Sequence, residues 1–336
     1  MKQKGYFSIQ NLSSVVFLGC ISNISELINH NKKLKINTSL ITGSDQAKQV
    51  PTGIKHHIFN KIDGKFKKFI QKNYDIKSTL FISLGARYIF KKNHINDIFS
   101  NNIINYHAAR LPFDAGGGGW TWRIMKNDRI DNQLFHVINE KIDAGSIIKS
   151  QISLMPKECV TPLEFEKFRQ NKFLIFYGNF VKDLKKGLKF KLKDQPKYFG
   201  NYYPRLKTKY NGWIDWNLDS HDLLYFINSF DDPFEGASTF VNNRIIKKAY
   251  IKKVQIHGGE QPNHPYMTGL VLKKYPDWIV VATVDKYCLI IQEILDEKGN
   301  NIINKIKVGD RFFSKKEILD KAKSVRVYFD AKGMKK

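Results

Sequence analysis

Val15-Val16-Phe17-Leu18-Gly19 is a short, continuous apolar run that ends at a glycine. A run of this length without polar alternation is typical of a strand that is buried on both faces of a sheet. The segment that follows, residues 21–29, places four apolar side chains at helical spacing. We therefore expect a buried strand and then a covering helix at the start of the fold.

The same alternation continues along the next 130 residues or so of the chain. Strand-like and helix-like segments follow one another, with strands expected at 36–42, 54–59, 79–84, 103–107, 134–138 and 147–152 and helices at 61–74, 94–99 and 120–126. This order is typical of an α/β domain in which helices cover both faces of a mixed, Rossmann-like sheet. No GxGxxG follows the first strand, so we do not expect a dinucleotide cofactor.

The strand–helix alternation of the sequence ends before residue 212, and a different pattern follows. A helix is expected over 220–229, and short strands separated by tight turns follow it, which is typical of a small β-barrel of the OB-like type. We expect an N-terminal catalytic domain over 1–190, a linker over 191–211 and a C-terminal barrel over 212–336.

Composition excludes several classes of protein. With 42% hydrophobic residues the chain has material for packed cores, and its three cysteines form neither a disulfide framework nor a zinc pattern. No apolar run is long enough for a membrane span or a signal peptide, and we expect a cytoplasmic protein without membrane insertion. The net charge of +25 fits either a general lysine bias or a polyanion-binding surface, and the lysine-rich linker with its tyrosines leaves both open.

Three polar side chains form the candidate catalytic group. Asn105 and His107 are two residues apart at a strand end, so both point to one face, and Asp143 lies in a tight turn between two later strands. The amide can bind an oxyanion, and a carboxylate beside the imidazole is expected to raise the histidine pKa and to assist proton transfer. This set fits acyl transfer to an amine, although a structural histidine and an ordinary turn would show the same residues.

The stretch LPFDAGGGGWTW, residues 111–122, is the candidate substrate loop. Four consecutive glycines do not form regular structure, and the loop follows a strand end where α/β proteins bind ligands. We expect Gly117, Gly118 and Trp120 to lie beside the substrate, with a plain surface turn as the alternative.

The order of these motifs resembles the family of 10-formyltetrahydrofolate-dependent formyltransferases. The resemblance rests on Asn-x-His at 105–107, Leu111-Pro112, Ile-Asp-x-Gly at 142–145, and the two stretches 212–216 and 231–237, and it covers roughly residues 14–295. It implies a catalytic triad of Asn105, His107 and Asp143, N10-formyltetrahydrofolate as co-substrate and no metal. It also implies a folate site that includes Leu84, Tyr88, Ile89, Leu111, Ile142 and Gly145.

The resemblance leaves two acceptors open. The glycine-rich loop and Tyr202-Tyr203-Pro204-Arg205-Leu206 look more like the sugar-nucleotide N-formyltransferases, which implies an amino-dideoxy sugar on dTDP, UDP or GDP and a role in lipopolysaccharide O-antigen synthesis. The alternative is a methionyl-tRNA formyltransferase that binds tRNA through its basic residues. Ala109 stands where the family usually has serine, and the loop after Pro112 lacks the usual Arg-Gly, so this chain departs from the family pattern at the acceptor side and keeps all three residues of the triad. The sequence leaves open whether the chain forms a homodimer.

Overall fold

The computed structural model describes residues 5–117, 119–196, 200–243, 245–259 and 261–335. Its first part is built on a mixed, seven-stranded sheet in the order β3-β2-β1-β4-β5-β6-β7. The first five strands in this order run parallel, and β6 and β7 are antiparallel to their neighbours. The strands are β1 (Ser14–Leu18), β2 (Asn37–Thr42), β3 (His57–Ile58), β4 (Thr79–Ser83), β5 (Ile103–His107), β6 (Ile130–Val137) and β7 (Ile147–Leu154). The expected α/β domain with a mixed sheet is confirmed.

The central strand β1 explains why its sequence is apolar without alternation. Val15 and Phe17 belong to the hydrophobic core on one face of the sheet, and Val16 and Leu18 belong to the core on the other. Helices cover both faces, as a sheet buried on both sides requires. The expected strand over 54–59 is reduced to two residues because β3 is an edge strand that pairs with β2 only at its end.

Six helices of seven or more residues are present in the described ranges. The longest, α4, begins after Thr161, whose hydroxyl accepts from the Glu164 N–H in a capping box, with proline at the first helical position. The helices are α1 (Ile24–Lys33), α2 (Gly64–Asn73), α3 (Gly119–Met125), α4 (Pro162–Lys185), α5 (Ser220–Ser229) and α6 (Lys316–Ser324), with shorter helical turns at Ser44–Ala47, His94–Ile98, Thr208–Asn211, Pro265–Met267 and Ile303–Lys305. No helix of the described residues has the length and apolar character that crossing a bilayer requires.

The C-terminal part is an antiparallel barrel in the strand order β10-β11-β12-β9-β8-β13. The barrel closes where the Val271 N–H donates to Asp310 O at 2.9 Å and the Phe312 N–H donates to Gly269 O at 2.8 Å. Its strands are β8 (Ala237–Asn242), β9 (Lys248–Gly258), β10 (Val271–Lys274), β11 (Ile279–Ala282), β12 (Tyr287–Leu295) and β13 (Arg311–Phe313). The expected small C-terminal barrel is confirmed.

Two segments outside the sheet and barrel return to the first domain. The two-residue strand Asn201–Tyr202 pairs in parallel with Asp114–Ala115, and Phe190–Lys191 pairs with Tyr6–Phe7. At the C-terminal end, Phe329–Asp330 and Gly333–Met334 form a small hairpin. The predicted linker is therefore held along the first domain where it is described, and the domain boundaries at 190 and 212 stay a prediction.

Candidate active site

A cleft of about 430 Å³ opens at the carboxyl ends of β4 and β5. Ligands of open α/β sheets bind at this edge, where parallel strands end and loops diverge. The cleft is walled by the loop 85–90, the end of β5, the turn 138–143 and, from elsewhere in the chain, residues 116–117, 202–205 and 326–329.

Asn105 and His107 both line this cleft from β5. The ring of Tyr106, between them, packs in the core instead, stacked on Phe173 with 3.7 Å between ring centroids. This alternation is the period-two arrangement that the sequence predicts for a strand end.

Asp143 reaches the same cleft from the turn after β6. Its Oδ1 lies 3.7 Å from His107 Nδ1 and 3.7 Å from His136 Nε2, and its Oδ2 accepts a hydrogen bond from the Gly116 N–H at 2.9 Å. Asp143 has a φ of 52°, in the left-handed region, which aspartate tolerates better than most residues. The structure thus brings together all three members of the predicted triad.

The charge state of Asp143 follows from these contacts. Burial by itself would raise the pKa of the carboxyl, but the neighbouring imidazoles of His136 and His107 and the hydrogen bond from the Gly116 N–H lower it to about 2. Asp143 is therefore an ionised carboxylate at neutral pH.

His107 is held by a main-chain carbonyl and lies beside Asp143. Its Nε2 lies 2.9 Å from Asp114 O, and because a carbonyl only accepts, Nε2 carries the proton. Burial lowers the pKa of His107, and the opposing effect of Asp143 is smaller. Asp143 does act to raise this pKa, as expected, but desolvation of the enclosed ring outweighs the charge and the net shift is downward. At neutral pH the imidazole is uncharged and presents the lone pair of Nδ1 towards Asp143.

His136 orients the amide of Asn105. His136 Nδ1 lies 2.9 Å from Val137 O, so it carries the proton and leaves Nε2 to accept from Asn105 Nδ2 at 3.1 Å. The second N–H of the Asn105 amide is then free for a ligand. From the sequence, His136 fits a supporting role and a core histidine equally well; the structure gives it contacts to Asn105 and Asp143.

Gln195 is a supporting residue that sequence reasoning missed. Its Nε2 donates to Asp143 O at 2.9 Å and to Gly145 O at 2.7 Å, so it holds the main chain of the turn that carries Asp143. Gly145 fits only as glycine, because an added Cβ would lie 1.7 Å from Val137 O. No local pattern marks Gln195, since its partners are some 50 residues away in the chain.

The predicted folate residues divide into two groups. Tyr88, Ile89 and Ile142 line the cleft. Leu84 and Leu111 are buried behind it, and Gly145 lies behind the turn, against Val137. The role of all six in folate binding stays a prediction.

The predicted substrate loop divides in the same way. Gly117 lines the cleft beside the guanidinium of Arg205. Trp120 lies outside the cleft, because α3 turns its indole towards α4, where it packs edge-on against Phe165 and under Arg169. Gly118 lies outside the described residues.

Comparisons with known proteins identify the family. Residues 207–305 match the model of the formyl transferase C-terminal domain. The chain is 24% identical over 218 residues to the methionyl-tRNA formyltransferase of Thermodesulfovibrio yellowstonii, covering 64% of this chain and 66% of that protein. It is 26% identical over 188 residues to the enzyme of the same name from Lactococcus lactis subsp. cremoris, covering 54% of each. The matched regions thus span less than two thirds of these curated relatives.

Solved structures show the same fold. The sugar 3N-formyl transferase WlaRD, crystallised with dTDP and 5-N-formyl-THF, superposes with a TM-score of 0.61 at 15% identity, covering 84% of this chain and 98% of that one. An N-formyltransferase from Helicobacter canadensis, in complex with folinic acid and dTDP-3-aminofucose, gives 0.59 at 16% identity, covering 84% and 99%. The match of residues 207–305 to a formyl transferase domain, the curated relatives and the shared fold together support the formyltransferase family for this chain.

Proposed function

We propose that this protein transfers a formyl group from N10-formyltetrahydrofolate to the amine of a nucleotide-linked amino-dideoxy sugar. The observation that carries the proposal is the convergence of Asn105, His107 and Asp143 in one cleft at the carboxyl edge of the sheet. These groups supply a hydrogen-bond donor, a proton acceptor and a fixed negative charge, which formyl transfer to an amine requires.

The walls of the cleft fit a folate. Beside the triad they carry the apolar or aromatic side chains of Tyr88, Ile89, Ile138 and Ile142, and ligand sites for flat heterocycles are mainly apolar with a few fixed polar groups. When bound, the folate supplies the activated formyl carbon. Ile89 and Ile142 are 70% and 59% exposed at the cleft, so their side chains are available for contact with a bound ligand.

The three catalytic side chains have separable tasks. The free N–H of the Asn105 amide donates to an oxyanion, and His136 keeps that amide in place. The neutral imidazole of His107 accepts a proton from the attacking amine at Nδ1. Asp143, whose Oδ1 is 3.7 Å from that nitrogen, stabilises the imidazolium so formed. The imidazolium supports the same oxyanion and then returns its proton to the folate nitrogen, which departs as its bond to the formyl carbon breaks.

The acceptor is proposed from the relatives and from the cleft. Both solved relatives described above were crystallised with a dTDP group and a folate derivative. Arg87, Arg205 and Arg326 line the same cleft as the triad, and arginine is well suited to phosphate groups. An amino sugar formylated in this way would serve surface polysaccharides such as the lipopolysaccharide O-antigen.

Methionyl-tRNA is the second candidate acceptor. Two observations favour it: the curated relatives are named methionyl-tRNA formyltransferases, and this chain has a net charge of +25. This candidate requires tRNA binding that weakens steeply as salt is raised, since phosphate contacts release counterions.

One experiment separates these candidates. The full chain is incubated with N10-formyltetrahydrofolate and either dTDP-, UDP- and GDP-amino sugars or methionyl-tRNA, and each product is examined by mass spectrometry for the mass of one formyl group. His107→Asn serves as the inactive control. We expect a formylated sugar nucleotide; formylation of the tRNA alone would transfer the assignment to the second candidate, and no product with any acceptor would reject both.

A further inference from the structure

The end of the described chain is docked beside the cleft. Residues 325–335 follow α6 and lie beyond the matched C-terminal domain, which ends at residue 305. Ala331 is buried in a core cluster of the first domain, and its carbonyl accepts from the Asp45 N–H at 3.2 Å. An added Cβ on Gly43 would lie 2.3 Å from the same carbonyl oxygen, so the segment packs closely against the main chain.

Phe329 of this segment lies between two arginines of the cleft. The Cζ atom of Arg87 is 4.4 Å from the centroid of the Phe329 ring, and that of Arg205 is 5.1 Å from it. Such cation–π contacts hold a guanidinium in place while leaving its N–H groups available. The segment adds Arg326 and Tyr328 to the same wall of the cleft.

The positive charge of these arginines is only partly neutralised. Arg87 is paired with Asp45 at 2.8 Å, but its buried Nε has no hydrogen-bond partner. For Arg205 and Arg326, the described residues provide aromatic rings but no hydrogen bond or ion pair. Burial and the charge of Arg87 lower the pKa of Arg205, as expected for a desolvated cation beside another.

The other charged groups of this region do not neutralise the positive charge of the three arginines. Lys141 and Glu140 both line the cleft and offset each other. Asp330 lies close enough to raise the pKa of Asp45, but it is not among the lining residues. Asp143 also faces the cleft as an ionised carboxylate, whereas Asp45, the acid paired with Arg87, is not among the lining residues. The three guanidinium groups still outnumber the carboxylates left uncompensated, and this excess of positive charge favours a multiply charged anion.

We propose that Arg87, Arg205 and Arg326, with Phe329 as their packing partner, form a binding site for the diphosphate of a nucleotide-linked acceptor. This inference rests on the proposed function and deepens it, because it makes the C-terminal segment part of the substrate site. Planar guanidinium groups bind phosphate oxygens through paired N–H donors, and two of the three are already held in place by Phe329. Carboxylates of a folate glutamyl tail share this anionic chemistry, so the test must separate the two sources.

The test measures binding directly, independently of formyl transfer. The full chain is titrated by calorimetry with inorganic pyrophosphate, with dTDP, UDP and GDP, and separately with folinic acid. Arg205→Gln and Arg326→Gln each remove one guanidinium, and Lys332→Gln, an exposed position on the same segment outside the cleft, is the control for charge. Arg326 is exposed, so its substitution will not disturb folding.

We expect pyrophosphate and at least one nucleotide to bind the wild-type chain. Affinity should fall about tenfold or more in Arg205→Gln and several-fold in Arg326→Gln, since each loses charged hydrogen bonds, while Lys332→Gln should bind as the wild type does. The proposed site would be rejected if the wild-type chain did not bind pyrophosphate. It would also be rejected if both arginine variants bound pyrophosphate with the affinity of the wild type. Weakened folinic acid binding with unchanged pyrophosphate binding would assign the arginines to the glutamyl tail and also overturn it. If no acceptor is formylated but the binding differences hold, the anion site stands and only the proposed reaction fails.

Discussion

Gln195 donates from one amide nitrogen to two main-chain carbonyls of the turn that carries Asp143, Asp143 O at 2.9 Å and Gly145 O at 2.7 Å. The predicted linker therefore holds the proposed catalytic carboxylate in position without touching the carboxylate itself. Neighbouring contacts strengthen this tie, because Ser146 Oγ donates to Asp194 Oδ1 at 2.6 Å.

Replacing Gln195 by leucine should lower kcat while leaving KM for both substrates nearly unchanged. The substitution preserves size but removes both N–H donors, so Asp143 would be less well placed against His107. We expect a fall of about tenfold, measured by steady-state kinetics. The matched control is Asp194→Asn, which changes the neighbouring contact but keeps an acceptor for Ser146. A Gln195→Leu enzyme with an unchanged kcat and an altered KM would contradict the positioning role.

Asn105→Ala, His107→Asn and Asp143→Asn should each reduce kcat by roughly two orders of magnitude or more, the usual cost of losing an oxyanion donor or an acid–base group. The three losses should be far from additive in double variants, since the groups act as a unit. Single-turnover assays with each variant check this, with melting temperature as the test of folding. Near-normal turnover by His107→Asn would remove the imidazole from the mechanism.

The pH dependence of activity should have an acid limb centred below 6.5. His107 must be neutral to accept a proton, and burial lowers its pKa from the ordinary value of 6.5. Asp143→Asn removes the charge that favours the imidazolium, so the limb of the residual activity should move to still lower pH. Measured kcat/KM profiles test both statements, and a limb centred above 6.5 would contradict the protonation state assigned to His107.

The same shifts predict loss of stability in acid. For a group whose pKa is lowered in the folded state, the unfolded chain binds the proton first, so stability is full above the ordinary pKa and falls with pH below it. His107 should begin this loss below pH 6.5, and Asp143 should add to it between its ordinary 3.8 and about 2. Denaturant unfolding at a series of pH values measures it, and the loss below pH 6.5 should shrink in His107→Asn.

Gly145→Ala should destabilise the fold and displace the catalytic turn. The added methyl group would lie 1.7 Å from Val137 O, which the main chain can relieve only by moving. Overpacking of this kind costs about 1–3 kcal/mol or more. Gly64→Ala is the control, because its added Cβ meets nothing within 4 Å at the start of α2. Equal melting temperatures for the two variants would show that the turn tolerates the methyl group.

Much of the framework could be predicted from the sequence because its signals are local. The unbroken apolar run at 15–18 predicts a strand buried on two faces, as the structure shows. The two-residue spacing of Asn105 and His107 predicts that both side chains lie on one face, and both line the cleft. The pKa of His107 could not be predicted, because its direction depends on how deeply the ring is enclosed. A neighbouring carboxylate can be read from a motif, whereas the depth of burial cannot.

The other omissions share one cause. Gln195 and Arg326 lie on chain segments that join the cleft only in the folded protein, and so does Arg205, which the sequence marks only as part of the stretch 202–206. Trp120 was expected beside the substrate because it follows the glycine run, but the helix that begins at Gly119 directs its ring away from the cleft. Proximity in sequence to a loop does not determine which face of the next helix a residue occupies.

The closure of the C-terminal barrel also limits how this domain can associate. Strand β13 is flanked by β8 on one side and by residues 269–271 on the other, so its backbone has no open edge in the described structure. A neighbouring chain cannot extend the sheet at β13 by adding a strand, which is the commonest route by which exposed edges cause aggregation. Any partner that binds the barrel at β13 must instead recognise side chains. Substitution of those side chains can therefore change which partner binds without altering the backbone pairing of the barrel.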